Sequence, residues 1–213
     1  MRLGSAEPKA FVKVGGHTML HYCFSTLARL ASINEIVVAI PPGLEKRARD
    51  EASRAGVRVP LKITPGGTER QDSVRIALAI SSAESELVVV HDGARPFADA
   101  DLFNRCIDAA ARSGAAIAAI PVADTLKRVA EGTIIATVKR AGLYQAQTPQ
   151  AFQRRLLVAA HERAMRDRVI ATDDAELVEQ IRGTVEIVEA SAMNLKITTK
   201  ADLMMAETIA SKR

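Results

Sequence analysis

Four consecutive apolar residues, Leu87-Val88-Val89-Val90, run straight into His91-Asp92-Gly93-Ala94-Arg95-Pro96. A strand that is apolar at every position has no solvent face, so it must be covered on both sides, the situation of a sheet with helices on each face. Other segments repeat the signal. Glu35 to Ile40 is a β-branched run ended by Pro41-Pro42-Gly43, Val59 to Thr64 is another ended by Pro65-Gly66-Gly67, and Ala115 to Pro121 is a third, rich in alanine. Helix-favouring stretches lie between them. Residues 44–55 are polar on most faces and stop at Gly56. Residues 69–82 place Val74, Ala77 and Leu78 on one face, and 99–113 turn Leu102, Cys106 and Ile107 inward. The alternation predicts a single α/β domain over residues 1–213, built on a largely parallel sheet.

The rhythm breaks between 124 and 147, where two strand-like pieces flank a turn at Glu131-Gly132. That pattern predicts an antiparallel hairpin projecting from the main sheet. Two strands alone are marginal in water, so such an arm is expected to rest on another surface, most naturally a second copy of the chain. A helix near 151–165, an acidic helix from Asp173 to Ile181, a strand at 185–188 and a final helix from Lys200 complete the expectation.

Composition excludes several classes. With 48% hydrophobic and 25% charged residues in 213, the chain is neither disordered nor a disulfide scaffold. Cys23 and Cys106 sit alone in apolar stretches, which suits a reducing compartment. No apolar run approaches the roughly 20 residues of a membrane helix and no cleavable leader is evident, so a cytoplasmic protein is expected. A net charge of +4 with 3% aromatic residues argues against a nucleic-acid binder and for a small anionic substrate.

Ligands of parallel α/β sheets bind beyond the carboxyl ends of the strands, which selects the loops Pro65–Arg70 and His91–Pro96. Asp92 there suits a ribose hydroxyl or a magnesium ion and Arg95 suits a phosphate, or the two cap the loop and pair with each other. Gly66-Gly67 permits close backbone approach to a ligand, or is a plain turn. Ser73 serves a base or phosphate, or caps a helix. Arg2 and Lys9 flank a polar loop and together suit a triphosphate. Lys196 stands inside Asn194-Leu195-Lys196-Ile197-Thr198, read as an apolar strand, where a lysine needs a counter-charge or water. Arg140, Thr148 and Thr172 are further donors suited to phosphate, each also compatible with plain surface. No P-loop, GxSxG elbow or metal-ligand histidine spacing occurs. The inventory is cationic and hydroxylic, which suits positioning and charge neutralisation in phosphoryl chemistry.

Taken in order, the segments Arg2-Leu3…Glu7-Pro8-Lys9-Ala10-Phe11, Gly66 to Val74, Val90 to Pro96, Asp124-Thr125-Leu126-Lys127, Gln147-Thr148-Pro149-Gln150, Thr172-Asp173-Asp174-Ala175 and Asn194 to Thr198 resemble the 2-C-methyl-D-erythritol 4-phosphate cytidylyltransferase family. The resemblance implies a nucleotide-diphospho-sugar transferase-like, Rossmann-type fold, a homodimer joined through the arm, and dependence on Mg2+. It implies attack of the methylerythritol phosphate on the α-phosphate of CTP with release of pyrophosphate, needing no general base. It assigns Arg2, Lys9, Arg140 and Lys196 to catalysis, and Gly66, Gly67, Ser73, Asp92 and Gly93 to CTP, with Asp92 also at the metal. Arg95, Thr125, Thr148 and Thr172 go to the substrate, along with Arg140, and Arg140 and Thr148 are expected from the partner's arm. The family pattern has an apolar strand and a glycine-rich loop ahead of Arg2. Their place before Met1 implies either a longer or shortened chain, which the downstream motifs favour, or a non-catalytic nucleotide-binding homologue. A ribitol 5-phosphate cytidylyltransferase is the nearest alternative within the chemistry.

Overall fold

The computed structural model describes residues 7–212. A 3-10 turn at Lys9–Phe11 leads into a short ribbon, β1 (Lys13–Val14) and β2 (His17–Thr18). Then follow α1 (Met19–Leu27), β3 (Ile36–Ile40), α2 (Glu45–Arg54), β4 (Leu61–Pro65), α3 (Arg70–Ile80), β5 (Leu87–Val90), α4 (Ala100–Ser113) and β6 (Ala115–Pro121). The arm is β7 (Leu126–Ala130) with β8 (Thr133–Val138), and the chain closes with β9 (Tyr144–Gln153), α5 (Arg154–Asp167), α6 (Asp174–Gln180), β10 (Glu186–Glu189) and α7 (Lys200–Ala210).

β3 and β4 pair in parallel, and a second sheet has the order β10-β6-β9-β5. The α/β layering expected from the apolar runs is present. The sheet is mixed, however: β9 runs antiparallel to both β5 and β6. Residues 151–153, expected to open a helix, belong to β9, and α5 begins at Arg154. Alternate side chains serve opposite faces, as the pleat dictates. Ala116, Ala118, Leu87 and Val89 pack with Leu102, Phe103 and Cys106 of α4. Ala115, Ile117, Val88 and Val90 pack with Leu157 and Ala160 of α5 and with Leu177 and Val178 of α6. Alanines on β6 let α4, with its own Ala109 and Ala110, approach the sheet closely.

The arm pairs as an antiparallel hairpin whose turn, Glu131-Gly132, takes positive φ at both residues. It forms a separate two-stranded sheet and leaves Val129, Ile134 and Ile135 more than half exposed, at 54%, 61% and 59%. Between β3 and β5 lies a groove of about 790 Å³. Among the described residues no strand pairs with the edges that these two strands present to it.

Candidate active site

Two loops at the carboxyl ends of β4 and β5 build the site, and each is held by its own hydrogen bonds. After Pro65, the Gly66 amide donates to the Ile40 carbonyl at 3.0 Å. The chain then lies against the first turn of α3, where a Cβ on Gly67 would come within 2.2 Å of the Asp72 Cβ. Only glycine fits there. The Gly67 amide donates to Ser73 Oγ at 3.0 Å, and the Ser73 hydroxyl donates to the Glu69 carbonyl at 3.2 Å. Glu69, rather than Ser73, caps α3 in a reciprocal box with Asp72. This turn puts Arg70 at the first helical position.

The loop after β5 is locked from β9. The register between β6 and β9 shifts between Ile117 and Ala119, whose partners are Gln150 and Ala146, so Gln147, Thr148 and Pro149 form a bulge. The bulge turns Thr148 towards the Asp92 loop. The Asp92 amide donates to Thr148 Oγ1 at 3.0 Å, the Thr148 hydroxyl donates to His91 Nδ1 at 3.0 Å, and His91 Nε2–H donates to the Arg95 carbonyl at 3.0 Å. That circuit requires neutral His91, and burial pushes its pKa down to about 4, although the Arg95 carbonyl and Asp92 pull the other way. Asn194, buried, donates to Gln147 Oε1 and to the Thr148 carbonyl, both at 2.8 Å, and fixes the bulge from behind.

Asp92 is the electrostatic hub. Lys196 Nζ lies 2.7 Å from its Oδ2, and Arg70 Nε donates to its Oδ1 at 3.1 Å. Burial alone would raise the Asp92 pKa, but Lys196 and Arg70 outweigh it and bring it to about 2. Arg70 also donates through Nη1 to Asp174 Oδ2 at 2.7 Å, and Asp174 Oδ1 accepts from His161 Nε2–H at 3.0 Å. Desolvation opposes the Arg70 charge, yet the two carboxylates hold its pKa above the ordinary arginine value. Both thiols are held protonated: burial raises Cys23, with Asp92 adding in the same sense, and Cys106 to about 12.

The expected site residues divide accordingly. Ser73, Asp92 and Gly93 line the end of the groove beside Arg70, and Gly66-Gly67 close over Ser73. Lys9 is exposed on the 3-10 turn, next to Ala10, whose Cβ would lie 3.6 Å from a Cβ on Gly93. Lys196 reaches Asp92, but not from a strand: residues 194–198 form an irregular segment anchored by the Ile197 amide on the Ala94 carbonyl at 2.8 Å. Arg95 is buried, donating to the Asn194 carbonyl at 2.8 Å and standing 3.9 Å from Asp92. Thr148 corrects the expectation most clearly. It belongs to β9 inside the protomer, is 3% exposed, and its hydroxyl is committed to Asp92 and His91 of the same chain. Thr125 and Arg140 are exposed at the base of the arm, with Arg140 donating to the Ala123 carbonyl. Thr172 is exposed and bonded to Glu176, away from the Asp92 hub in its hydrogen bonds. Arg2 and the expected glycine-rich loop lie outside the described residues.

Sequence reasoning assigned no role to His91, Asn194, Asp174 or His161, the buried polar residues that hold the loops. Among the described residues no group of three or more His, Cys, Asp or Glu gathers to cage a metal. A single ionised carboxylate suits Mg2+ when substrate phosphates complete the shell. Asp92 meets that condition, because two donors on a carboxylate leave lone pairs free on both oxygens.

A family model described as IspD, 2-C-methyl-D-erythritol 4-phosphate cytidylyltransferase, matches residues 1–212. A protein of that description from Syntrophus aciditrophicus is 41% identical over 213 residues, covering 99% of this chain and 91% of the relative. One from Pelotomaculum thermopropionicum is 37% identical, covering 100% and 90%. Among solved structures, the cytidylyltransferase of Thermus thermophilus superposes with a TM-score of 0.83 at 39% identity, covering 96% of this chain and 94% of that one. The 4-diphosphocytidyl-2C-methyl-D-erythritol synthase of Anaerococcus prevotii gives 0.87 at 31% identity, with 96% and 93% covered.

Proposed function

The chain belongs to the 2-C-methyl-D-erythritol 4-phosphate cytidylyltransferase family, and from that premise we propose how its residues carry the reaction. It transfers a cytidylyl group from CTP to 2-C-methyl-D-erythritol 4-phosphate, giving 4-diphosphocytidyl-2-C-methyl-D-erythritol and pyrophosphate. The observation that carries this reading is the Lys196–Asp92–Arg70 cluster at the carboxyl ends of the strands, at the end of a groove. It is a charge-placing site rather than an acid–base pair.

CTP enters the end of the groove, with its base at the Gly66-Gly67 loop and Ser73 and its ribose at Asp92 and Gly93. The acceptor phosphate attacks the α-phosphorus. One oxygen–phosphorus bond forms, the bridge between α- and β-phosphorus breaks, and pyrophosphate leaves with the electron pair. The nucleophile is already anionic at neutral pH, so no proton need be removed. Lys9, Lys196 and Arg2 stabilise the negative charge that develops at the α-phosphate. When bound, Mg2+ neutralises the triphosphate, and Asp92 is the residue that would hold it.

The exposed apolar face of the arm supports a homodimer in which Arg140, with Thr125, approaches the acceptor phosphate of the partner's site. Arg95 and Thr172 remain the acceptor-side candidates within the protomer. Free buried thiols suit the cytoplasm, and no helix among the described residues is long and apolar enough to cross a membrane. The family membership favours methylerythritol phosphate over ribitol 5-phosphate as acceptor. Phosphorus NMR of the chain with CTP, Mg2+ and each acceptor in turn tests the reading. The cytidine diphosphate product is expected from the methylerythritol phosphate. Its appearance only with ribitol 5-phosphate, or with neither, overturns the assignment.

A further inference from the structure

The Thr172-Asp173-Asp174-Ala175 motif has a use that the reaction scheme leaves unassigned. Asp173 caps α6 through the Glu176 amide at 2.9 Å. Asp174 turns inward instead and is 1% exposed, with His161 behind it at 3%. It is the second member of a continuous series: His161 to Asp174 at 3.0 Å, Asp174 to Arg70 at 2.7 Å, Arg70 to Asp92 at 3.1 Å and Asp92 to Lys196 at 2.7 Å. Helix α3 is braced against the same region, because Gln71 donates to the Val169 carbonyl at 3.1 Å and accepts from the Ala171 amide at 2.9 Å.

The orientation of Arg70 is the informative detail. The Nε/Nη2 edge of a guanidinium is the fork that clasps a carboxylate side-on. Here only Nε bonds to Asp92, while Nη2 is buried with no hydrogen-bond partner among the described residues. An orphaned buried donor is costly, and rotation onto Asp92 Oδ2 would satisfy it. Asp174 opposes that rotation by holding Nη1. Oδ2 of Asp92 is thereby left to Lys196 and to whatever the site binds.

We propose that Asp174, oriented by His161, is a positioning residue that keeps Arg70 from clasping Asp92 and so keeps Asp92 available on the CTP side of the site. The inference rests on the assignment of Asp92 to CTP. His161 acts one link further back: its Nε2–H occupies Oδ1 of Asp174 and leaves Oδ2 facing Arg70. Glutamine preserves a donor near the Nε2 position, whereas leucine preserves only bulk.

The experiment is steady-state kinetics, with KM for CTP and for the acceptor measured separately, alongside thermal melting and CTP titration calorimetry. For Asp174→Asn the KM and the dissociation constant for CTP are expected to rise about tenfold, the acceptor KM staying within about twofold. His161→Gln is expected to stay near wild type, and His161→Leu to move in the direction of Asp174→Asn. A purely structural role would lower the folded fraction and kcat together while leaving both KM values in place, and that result overturns the proposal. If Asp174→Asn does not fold, the histidine pair decides: equal CTP KM values for Gln and Leu overturn it. Asp92→Asn separates the two levels. CTP binding unchanged in Asp92→Asn defeats the assignment of Asp92, while binding weakened there but not in Asp174→Asn defeats only the positioning role.

Discussion

The backbone nitrogen of Asp92 is bonded to the side-chain oxygen of Thr148 at 3.0 Å, tying the loop after β5 to a bulge in β9. The same hydroxyl donates to His91 Nδ1 at 3.0 Å, so one threonine fixes both the backbone of the hub residue and the tautomer of its neighbour.

Thr148→Val is therefore expected to destabilise the protein by about 1–3 kcal/mol, because the Asp92 amide loses its acceptor and His91 Nδ1 its donor in a part-buried setting. Thr148→Ser restores both bonds and should recover most of that loss. Urea unfolding of the three proteins measures it. If Thr148→Val is as stable as the wild type yet its acceptor KM rises steeply, the hydroxyl serves the substrate and not the loop.

His91 gives stability a pH dependence. Its folded pKa, about 4, lies below the ordinary value of 6.5. Between those values the unfolded chain holds a proton that the folded chain does not, so stability falls as pH is lowered from 6.5 towards 4 and levels below that. The fall is on the order of 3 kcal/mol from His91. His21, also shifted down by burial, adds in the same sense. Asp92 acts in a lower window: its stabilisation is full above its ordinary value of 3.8 and is lost as pH falls towards 2. Urea midpoints at pH 7, 6 and 5 should decline for the wild type and decline less for His91→Gln. A flat profile for the wild type would contradict the buried neutral histidine.

The exposed arm is the proposed dimer interface. Ile134 and Ile135 are 61% and 59% exposed on a hairpin that pairs only with itself among the described residues. Replacing both by lysine leaves the main sheet untouched and is expected to convert a dimer to monomers in sedimentation velocity. Turnover should fall with it if Arg140 serves the neighbouring site as proposed. Wild-type protein sedimenting as a monomer at micromolar concentration would remove the dimer from the account.

The apolar runs made β3, β5 and β6 legible in the sequence, because an uninterrupted apolar run fits a strand with helices on both faces of its sheet. The hairpin was equally plain from Glu131-Gly132. β9 was not: Tyr-Gln-Ala-Gln-Thr-Pro-Gln mixes polar residues with a proline, which argues against a central strand, and only the bulge against β6 accommodates it. The opposite error placed Lys196 on a strand, since Leu195 and Ile197 look alternating although their segment makes no ladder. The loops that carry Gly66-Gly67 and Asp92 were legible because strand-end loops of parallel sheets are where ligands bind. Asp174, His161 and Asn194 escaped because their partners lie far away in the chain, and a buried polar residue reveals its purpose only beside the group it satisfies.

The most direct test of the charge-placing site is pyrophosphate release by Lys196→Ala at saturating CTP and acceptor, with folding checked by thermal melting. Lys196 faces Asp92 at 2.7 Å and is the described cation closest to that hub. A loss of about 100-fold or more in kcat, with a cooperative melt retained, is the predicted result. A rate within about threefold of wild type would contradict the account.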